Sequence, residues 1–291
     1  MSNAIDAKGS VASVVISDAA NNVVDIFSEA GKQLGQLTGF SQPQGLGLDK
    51  QGNLYVADTN NSRIQVYASG FQNAPQTIDD SGQSPVGVAV DRSGNIAVAN
   101  ILTSSGQAGS VSFFSSDGTM LTTLSNANFA KVIFEAFDSK GNLYIDGTNA
   151  SGGFVAGEIV GGVEGKTIAV LSTGNTIGYP GGIAITKSGE IAICDQENRE
   201  IFTYNAPAQG SFGMPVATTT LSGAGDPINI VFTKTNKGIW LSDPAGGGPA
   251  DKVLVPSSDK YLYPAGTPTK AIFFSHGAQP TGIVLTRNGK S

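Results

Sequence analysis

The sequence predicts an all-β fold in which six small antiparallel sheets close into a ring, a six-bladed β-propeller. The first observation is a strand–turn–strand pattern that recurs six times. Its anchor position is occupied by Asp49, Asp91, Asp138, Thr186, Thr233 and Thr286. Consecutive anchors lie 42, 47, 48, 47 and 53 residues apart. Repeats of roughly 40–50 residues, each forming a small sheet, are typical of propellers.

The second observation is the composition of the repeat, which is clearest in residues 43–67. Residues 45–48 alternate small and apolar side chains, which predicts a strand. Residues 54–57 are rich in β-forming types, and residues 64–67 alternate again. Polar turns of Asp, Asn and Gly separate the three segments. Three sequential strands joined by two tight turns form an antiparallel meander.

The third observation is that the two ends of the chain complement each other. The sixth copy has its inner strand at 281–287 and then stops, whereas residues 13–18 match the second strand of the first copy. We therefore expect the closing blade to combine 281–287 with three outer strands from about 13–38. This arrangement would cover two strand edges that otherwise stay unpaired.

The unbroken repeat predicts one propeller domain over residues 5–291. Residues 1–4, Met-Ser-Asn-Ala, resemble the scar of a removed expression tag. A chain that starts near residue 5 suggests that an upstream segment such as a signal peptide was cut away. A secreted or periplasmic location is the expectation, and a cytoplasmic one stays open.

Composition narrows the classes of function. The net charge is −6, and the 17 Lys and Arg residues are scattered, which argues against nucleic acid as a partner. No segment reaches 18 apolar residues, so membrane insertion is not expected. The single cysteine, Cys194, lies on an expected second strand and predicts a buried thiol.

Three motifs carry a family resemblance. Pro-x-Gly-Leu-x-Leu-Asp at 43–49, Gly-Asn-Leu-Tyr-Val-Ala-Asp at 52–58 and Asn-x-Arg-Ile-Gln-Val-Tyr at 61–67 resemble the NHL-repeat β-propellers. The resemblance extends from about Val11 to the end of the chain, although it is degraded in the third and fifth copies. Ser62 stands before the arginine where the family has His, and only the first blade keeps the Asp58–Arg63 spacing.

The resemblance also implies catalytic relatives, whose sites can be compared with this sequence. Some NHL-like propellers are lyases with a histidine-bound metal, but this chain has one histidine. Related six-bladed hydrolases use a Glu/Asn/Asp metal site on the channel axis. The axial positions expected here are Gln44, Val86, Val132, Gly181, Ile228 and Thr281, which offer no carboxylate. Phosphate-binding loops and nucleophile elbows are also missing from the sequence.

A second ring of residues closes the second strands near the expected channel mouth. Its members are Asp18, Asp58, Asn100, Gly147, Asp195 and Asp243. Clustered carboxylates can bind calcium. Each Asp can instead accept hydrogen bonds from backbone N–H groups in a tight turn, and we favour that interpretation. No cofactor is expected beyond a weakly bound divalent cation.

The favoured function is a non-enzymatic scaffold that binds a peptide, protein or small ligand at the mouth. The candidate contacts are Phe40, Gln44, Asp58, Asn60, Arg63, Phe129, Lys131, Tyr179 and His276. The alternative is a metal-dependent lyase or lactonase-like enzyme with carboxylate ligands. No catalytic residue is assigned, so the sequence leaves catalysis open while favouring binding.

Overall fold

Six separate sheets form a ring of six blades in the computed structural model, which describes residues 13–103, 108–245, 256–274 and 277–286. Within these residues there is no α-helix, and two short 3₁₀ turns cover Thr59–Asn61 and Gly162–Glu164. The predicted all-β, six-bladed fold is confirmed.

Each blade is given from its innermost to its outermost strand. Blade one contains β4 (Pro43–Leu48), β5 (Leu54–Asp58), β6 (Arg63–Tyr67) and β7 (Gln76–Asp79). Blade two contains β8 (Gln83–Pro85) with β9 (Ala89–Val90), then β10 (Ile96–Thr103), β11 (Ser110–Phe114) and β12 (Met120–Ser125). Blade three contains β13 (Lys131–Phe137), β14 (Leu143–Thr148), β15 (Phe154–Ile159) and β16 (Ala169–Thr173).

The remaining blades repeat the same order. Blade four contains β17 (Pro180–Ile185), β18 (Ile191–Asp195), β19 (Glu200–Tyr204) and β21 (Ala217–Thr220). Blade five contains β22 (Asn229–Phe232), β23 (Gly238–Asp243), β24 (Ser257–Leu262) and β25 (Pro268–Phe273). Blade six contains β26 (Pro280–Leu285), β1 (Ser13–Asp18), β2 (Val23–Ser28) and β3 (Gln33–Leu37).

Blade six closes the ring with strands from both ends of the chain, as predicted. Strand β26 pairs antiparallel with β1, so that Ile16 lies opposite Ile283 and Val15 opposite Val284. The backbone N–H of Thr286 also donates to the carbonyl of Ser13 at 2.9 Å. The innermost strand of the last sheet is therefore held by hydrogen bonds to the first strand of the chain.

The repeated Asp-x-x-Gly-Asn turns have a common physical cause. In blade one, Asp49 Oδ1 accepts from the backbone N–H groups of Gln51 and Asn53 at 2.9 and 2.8 Å. The amide of Asn53 donates to the other carboxylate oxygen at 2.7 Å. Asp91 and Asp138 make the same set of bonds in blades two and three.

The hydrophobic core lies between neighbouring blades. Alternate residues of each second strand point into one or the other interface, so these strands are buried on both faces. Trp240 of blade five, for example, packs with Val14 and Ile283 of blade six. Cys194 is fully buried and its thiol contacts the Pro227 carbonyl at 3.6 Å, which confirms the buried thiol.

One feature of the outer rim was not expected. The long connection between β19 and β21 contains a short strand, β20 (Ser211–Gly213), which pairs parallel with β16 of blade three. Phe212 on this strand packs against the rings of Tyr144 and Tyr204, with centroid distances of 6.1 and 5.1 Å. The strand covers the exposed edge of blade three.

A membrane-spanning helix is not found in the part of the chain that the structure describes.

Candidate functional site

The mouth face is the side of the ring onto which two sets of loops open. One set precedes the innermost strands, and the other joins the second and third strands. Both sets meet because each second strand runs antiparallel to its inner strand and ends where that strand begins. The candidate residues from the sequence were placed on this face.

The Asp residues that end the second strands bind these two sets of loops together. Asp58 accepts from the N–H of Ser41 at 2.7 Å, and Asp243 accepts from the N–H groups of Gly225 and Asp226 at 2.7 and 2.8 Å. Asp195 accepts from the N–H of Gly178 at 2.8 Å. Their lone pairs are directed at backbone donors in their own blade. The turn-cap interpretation therefore fits these carboxylates better than metal ligation.

Blade one adds an ion pair to this cap. Asp58 is fully buried, and Arg63 Nε donates to its Oδ2 at 2.7 Å. The amide of Asn61 donates to the same oxygen at 2.9 Å, and a terminal nitrogen of Arg63 reaches the carbonyl of Gly39 at 3.1 Å. The side chain of Arg63 is 30 % exposed, so part of the guanidinium is accessible from the mouth.

Two candidate aromatic residues do not face the mouth. Phe129 is fully buried among apolar side chains between blades two and three. Phe40 is 8 % exposed and packs against the ring of Tyr67 at 6.1 Å. Aromatic side chains at blade boundaries gain more from packing than from exposure. Their expected role as ligand contacts is corrected accordingly, since neither side chain is available to a ligand.

The other candidates are accessible but dispersed. Asn60 and Lys131 are exposed, Tyr179 is 39 % exposed, and Gln44 is partly exposed. Asn60 lies beside Arg63 in blade one, where its backbone N–H donates to the Ser41 carbonyl at 3.1 Å. Tyr179 belongs to blade four, on the opposite side of a six-membered ring. His276 falls outside the described residues.

Blade two replaces the Asp cap with a reversed arrangement. Asn100 of β10 occupies the position of the capping Asp, and a carboxylate is supplied by Asp80 in the loop before β8. Both carboxylate oxygens of Asp80 are buried, and neither has a partner at hydrogen-bonding distance and angle. The same holds for Asn100 Oδ1. Desolvation raises the pKa of Asp80 to about 6, and the nearby Ser112 hydroxyl and Asn100 amide offset this only in part. The repeat pattern did not indicate that Asp80 would supply the carboxylate of blade two.

We expect Asp80→Asn to stabilise the protein at neutral pH. The folded-state pKa lies above the usual 3.8, so the neutral acid is preferred and its contribution to stability is lost as pH rises from about 4 to about 6. The substitution removes that loss, which amounts to at most about 3 kcal/mol for a shift of about 2 pKa units. The introduced amide can also donate to Asn100 Oδ1. Urea unfolding from pH 3.5 to 8 measures the difference between the two proteins.

A suitable control is Asp117→Asn. Asp117 is exposed, and its pKa is lowered by hydrogen bonds from Ser115 and Thr119. Its contribution is therefore lost as pH falls, the opposite direction. A stability difference between Asp80→Asn and the unmodified protein that stays constant across this pH range would contradict the assignment.

The central channel contains a carboxylate that was not expected there. A cavity of about 260 Å³ lies among the innermost strands and is lined mainly by aliphatic side chains such as Leu46, Ile183 and Ile283. Glu135 of blade three and Asn229 of blade five also line it. The expectation that the axis offers no carboxylate is therefore wrong, because the lining residues lie further along each inner strand than the positions chosen.

The placement of Glu135 follows from a glycine in the neighbouring blade. A Cβ atom on Gly87 would lie 2.2 Å from a Glu135 carboxylate oxygen, so a larger residue at this position would force the carboxylate to move. Both carboxylate oxygens of Glu135 are buried, and neither has a partner at hydrogen-bonding distance and angle. Burial strongly raises the pKa of this side chain. In the alignment of the anchors, the equivalent positions hold Leu46, Val88, Ile183, Ile230 and Ile283. The alignment therefore marks Glu135 as a charged exception, but it does not show that the side chain faces the channel.

The enzymatic alternative required clustered carboxylate ligands. Among the described residues, no group of three or more His, Cys, Asp and Glu side chains is arranged to hold a metal ion. The mouth carboxylates already accept backbone hydrogen bonds in separate blades. The donor set of the described residues therefore does not fit the proposed metal site.

The repeat of blade one and the fold of the whole ring both have counterparts among known proteins. Residues 40–67 match the model of the NHL repeat, which covers the mouth loop of blade one and strands β4 to β6. The chain is a six-bladed β-propeller with an NHL repeat. The match includes both Asp58 and Arg63, so the mouth loop that contains this ion pair lies within the matched residues.

Solved structures of similar shape support the same propeller fold. A chain in the crystal structure of a nidogen/laminin complex aligns with a TM-score of 0.73 and 15 % identity, over 95 % of this chain and 99 % of that chain. A protein of unknown function from Bacteroides caccae aligns with a TM-score of 0.71 and 12 % identity, over 96 % and 100 %. At these identities the likeness shows the fold alone. No curated protein matches the sequence.

In this propeller, Asp58→Ala is expected to lower the free energy of unfolding by about 3 kcal/mol, because it leaves Arg63 and the Ser41 N–H without their acceptor. Arg63→Ala should cost less, since Asp58 retains two other donors and Arg63 is partly solvated. Urea titration of both variants measures the ranking. A larger loss for Arg63→Ala would show that the guanidinium, and not the carboxylate, organises the loop.

Proposed function

We propose that this protein is a non-enzymatic binding propeller that recognises a partner protein or peptide through its mouth face. The observation that carries the proposal is a contrast within the mouth. The loops are fixed by the same type of Asp-to-backbone bonds in several blades, while the side chains they present differ from blade to blade. A rigid scaffold with variable loops is the usual design of a binding surface.

The exposed residues at the mouth suit a protein surface. Tyr179 and Arg63 belong to the residue types that dominate binding energy at interfaces. Asn60 and Lys131 add exposed polar groups around them. The channel cavity of about 260 Å³ is smaller than most drug-sized ligand sites, which favours binding across the face over binding within the axis.

The nidogen/laminin structure supports the proposal by analogy, because a chain of similar fold was solved there as part of a nidogen/laminin complex. The predicted export of this chain has no structural test and stays a prediction. A partner found in the source organism would indicate the compartment.

The test compares two triple variants in capture of partners from an extract of the source organism. Asn60→Ala, Lys131→Ala and Tyr179→Ala alter the mouth. Gln51→Ala, Lys140→Ala and Val160→Ala change a polar, a basic and an apolar exposed residue on the opposite face. We expect the mouth variant to lose the captured partner and the opposite-face variant to retain it.

Equal capture by both variants, or a loss confined to the opposite-face variant, would overturn the mouth assignment. Because all six side chains are exposed, neither variant should alter the thermal unfolding midpoint by more than a few degrees. Circular dichroism melts verify this before capture is measured.

A further inference from the structure

A groove of about 370 Å³ runs between blades five and six, apart from the mouth loops of blades one, three and four. Blade five contributes Phe273 and Phe274 from the end of β25. Blade six contributes Asp25 and Phe27 from β2, with Gln33 and Gln36 from β3. The groove therefore has one aromatic wall and one polar wall.

The aromatic wall is ordered but incompletely covered. Phe27 and Phe274 pack edge to face with ring centroids 5.6 Å apart, which fixes the base of the wall. Phe273 is 49 % exposed at the rim. An exposed aromatic ring beside a groove provides apolar surface and a π-face for an incoming group.

The polar wall presents acceptors. The side-chain amides of Gln33 and Gln36 both donate to Asp25 Oδ1 at 2.9 Å. This fixes the orientation of both amides and leaves their carbonyl oxygens, with Asp25 Oδ2, as acceptors that receive no hydrogen bond from the described residues. Asp25 itself is only 6 % exposed. A ligand that fits this wall must supply several N–H donors.

The charges that line the groove also favour a cationic ligand. Asp18 also lines the groove, and no basic side chain of the described residues does so. Burial of Asp25 is the main cause that raises its pKa, with a further contribution from the charge of Asp18. A bound cation would stabilise the ionised form of Asp25 against both effects. The net charge of −6 also favours the approach of a cation.

We propose that this groove binds an arginine side chain of a partner protein. The guanidinium has five N–H donors and no acceptor, which complements a wall of acceptors. Its flat face stacks on phenylalanine, and its weak hydration lowers the cost of entering a partly apolar groove. A lysine ammonium has fewer donors and no planar face, so it fits both walls less well.

The test uses capped Gly-Arg-Gly, Gly-Lys-Gly and Gly-citrulline-Gly peptides with isotope-labelled protein. Backbone amide shifts in nuclear magnetic resonance spectra report binding near β2, β3 and β25. The arginine peptide should produce saturable shifts at these strands and bind about tenfold more tightly than the peptide of citrulline, which has the same shape but no charge.

Two groove variants and one control complete the design. Asp25→Asn should weaken arginine binding about tenfold, while its remaining oxygen still accepts from the two glutamines. Phe273→Ala should weaken binding severalfold by removing the stacking surface. Asp79→Asn removes the same charge at an exposed position at the end of β7 and should bind as the unmodified protein does.

Equal affinity for the arginine and citrulline peptides, or unchanged affinity in Asp25→Asn, would overturn the proposal. Equal affinity for the lysine peptide would overturn the guanidinium assignment, and so would the absence of shifts at peptide concentrations on the order of 10 mM. The mouth triple variant should bind the arginine peptide normally. Failure of the mouth proposal therefore leaves this result unaffected.

Discussion

A chain shortened to residues 1–279 is expected to lose its cooperative unfolding transition. The deletion removes β26, the innermost strand of blade six, which pairs with β1. Ile283 and Val284 are 2 % and 8 % exposed, and burial of two such side chains contributes about 3–6 kcal/mol. Native domains are stable by only about 5–15 kcal/mol, so this loss alone removes much of the total.

Hydrogen bonds to neighbouring blades add to the effect. Ser242 Oγ of blade five donates to the Thr281 carbonyl at 2.6 Å, and Thr281 Oγ1 donates to the Pro43 carbonyl of blade one at 3.4 Å. The N–H of Gly282 donates to Ser17 Oγ at 2.7 Å. Removing β26 therefore leaves buried polar groups without partners in three blades.

The matched control is a chain shortened to residues 1–286, which retains every contact of β26 described here. Near-ultraviolet circular dichroism and urea titration distinguish the two proteins, and only the shorter one should lack fixed tertiary structure. A cooperative transition in the 1–279 chain would show that five blades and an open edge suffice. That result would contradict the closure argument.

Gly147→Asp is expected to destabilise the protein severely, although Asp is the most frequent residue at this position of the repeat. Asp18, Asp58, Asp195 and Asp243 cap their loops there. In blade three, a Cβ on Gly147 would lie 1.9 Å from the Lys131 carbonyl oxygen and 2.9 Å from its carbon. Relieving a clash with backbone requires β13 to move, which costs about 3 kcal/mol or more.

Gly147→Ala and Gly35→Ala separate the clash from the general effect of replacing a strand glycine. A Cβ on Gly35 would meet only Ile26, at an ordinary 3.8 Å. Gly35→Ala should therefore be neutral or stabilising by up to about 1 kcal/mol. Gly147→Ala should be clearly destabilising in the same urea titration. Similar values for the two alanine variants would show that blade three can shift without cost.

Inner strands and exposed side chains differ in how many blades they contact. The ring depends on contacts between blades, so a change to one inner strand affects both neighbours. The exposed mouth side chains and the rim of the groove between blades five and six make fewer such contacts. Binding variants at Tyr179 or Phe273 should therefore test recognition without testing folding.

The sequence by itself determined the repeat, the number of blades and the closure of the ring. These features depend on strand periodicity and turn chemistry, and both are local: the Asp49 turn uses only residues 49–53. The role of the mouth Asp residues as caps was also predictable, because an Asp before a tight turn has backbone donors within reach.

Tertiary structure decided which side chains are accessible. Phe40 and Phe129 lie near the mouth in sequence but point between blades, and Glu135 enters the channel because Gly87 of another blade leaves it space. The sequence shows that Gly147 stands where other blades have Asp. Only the structure shows that the Lys131 backbone lies too close for any side chain there. Each outcome depends on contact between residues that are far apart in sequence or on separate strands. The local pattern of strands and turns in the sequence does not predict such contacts.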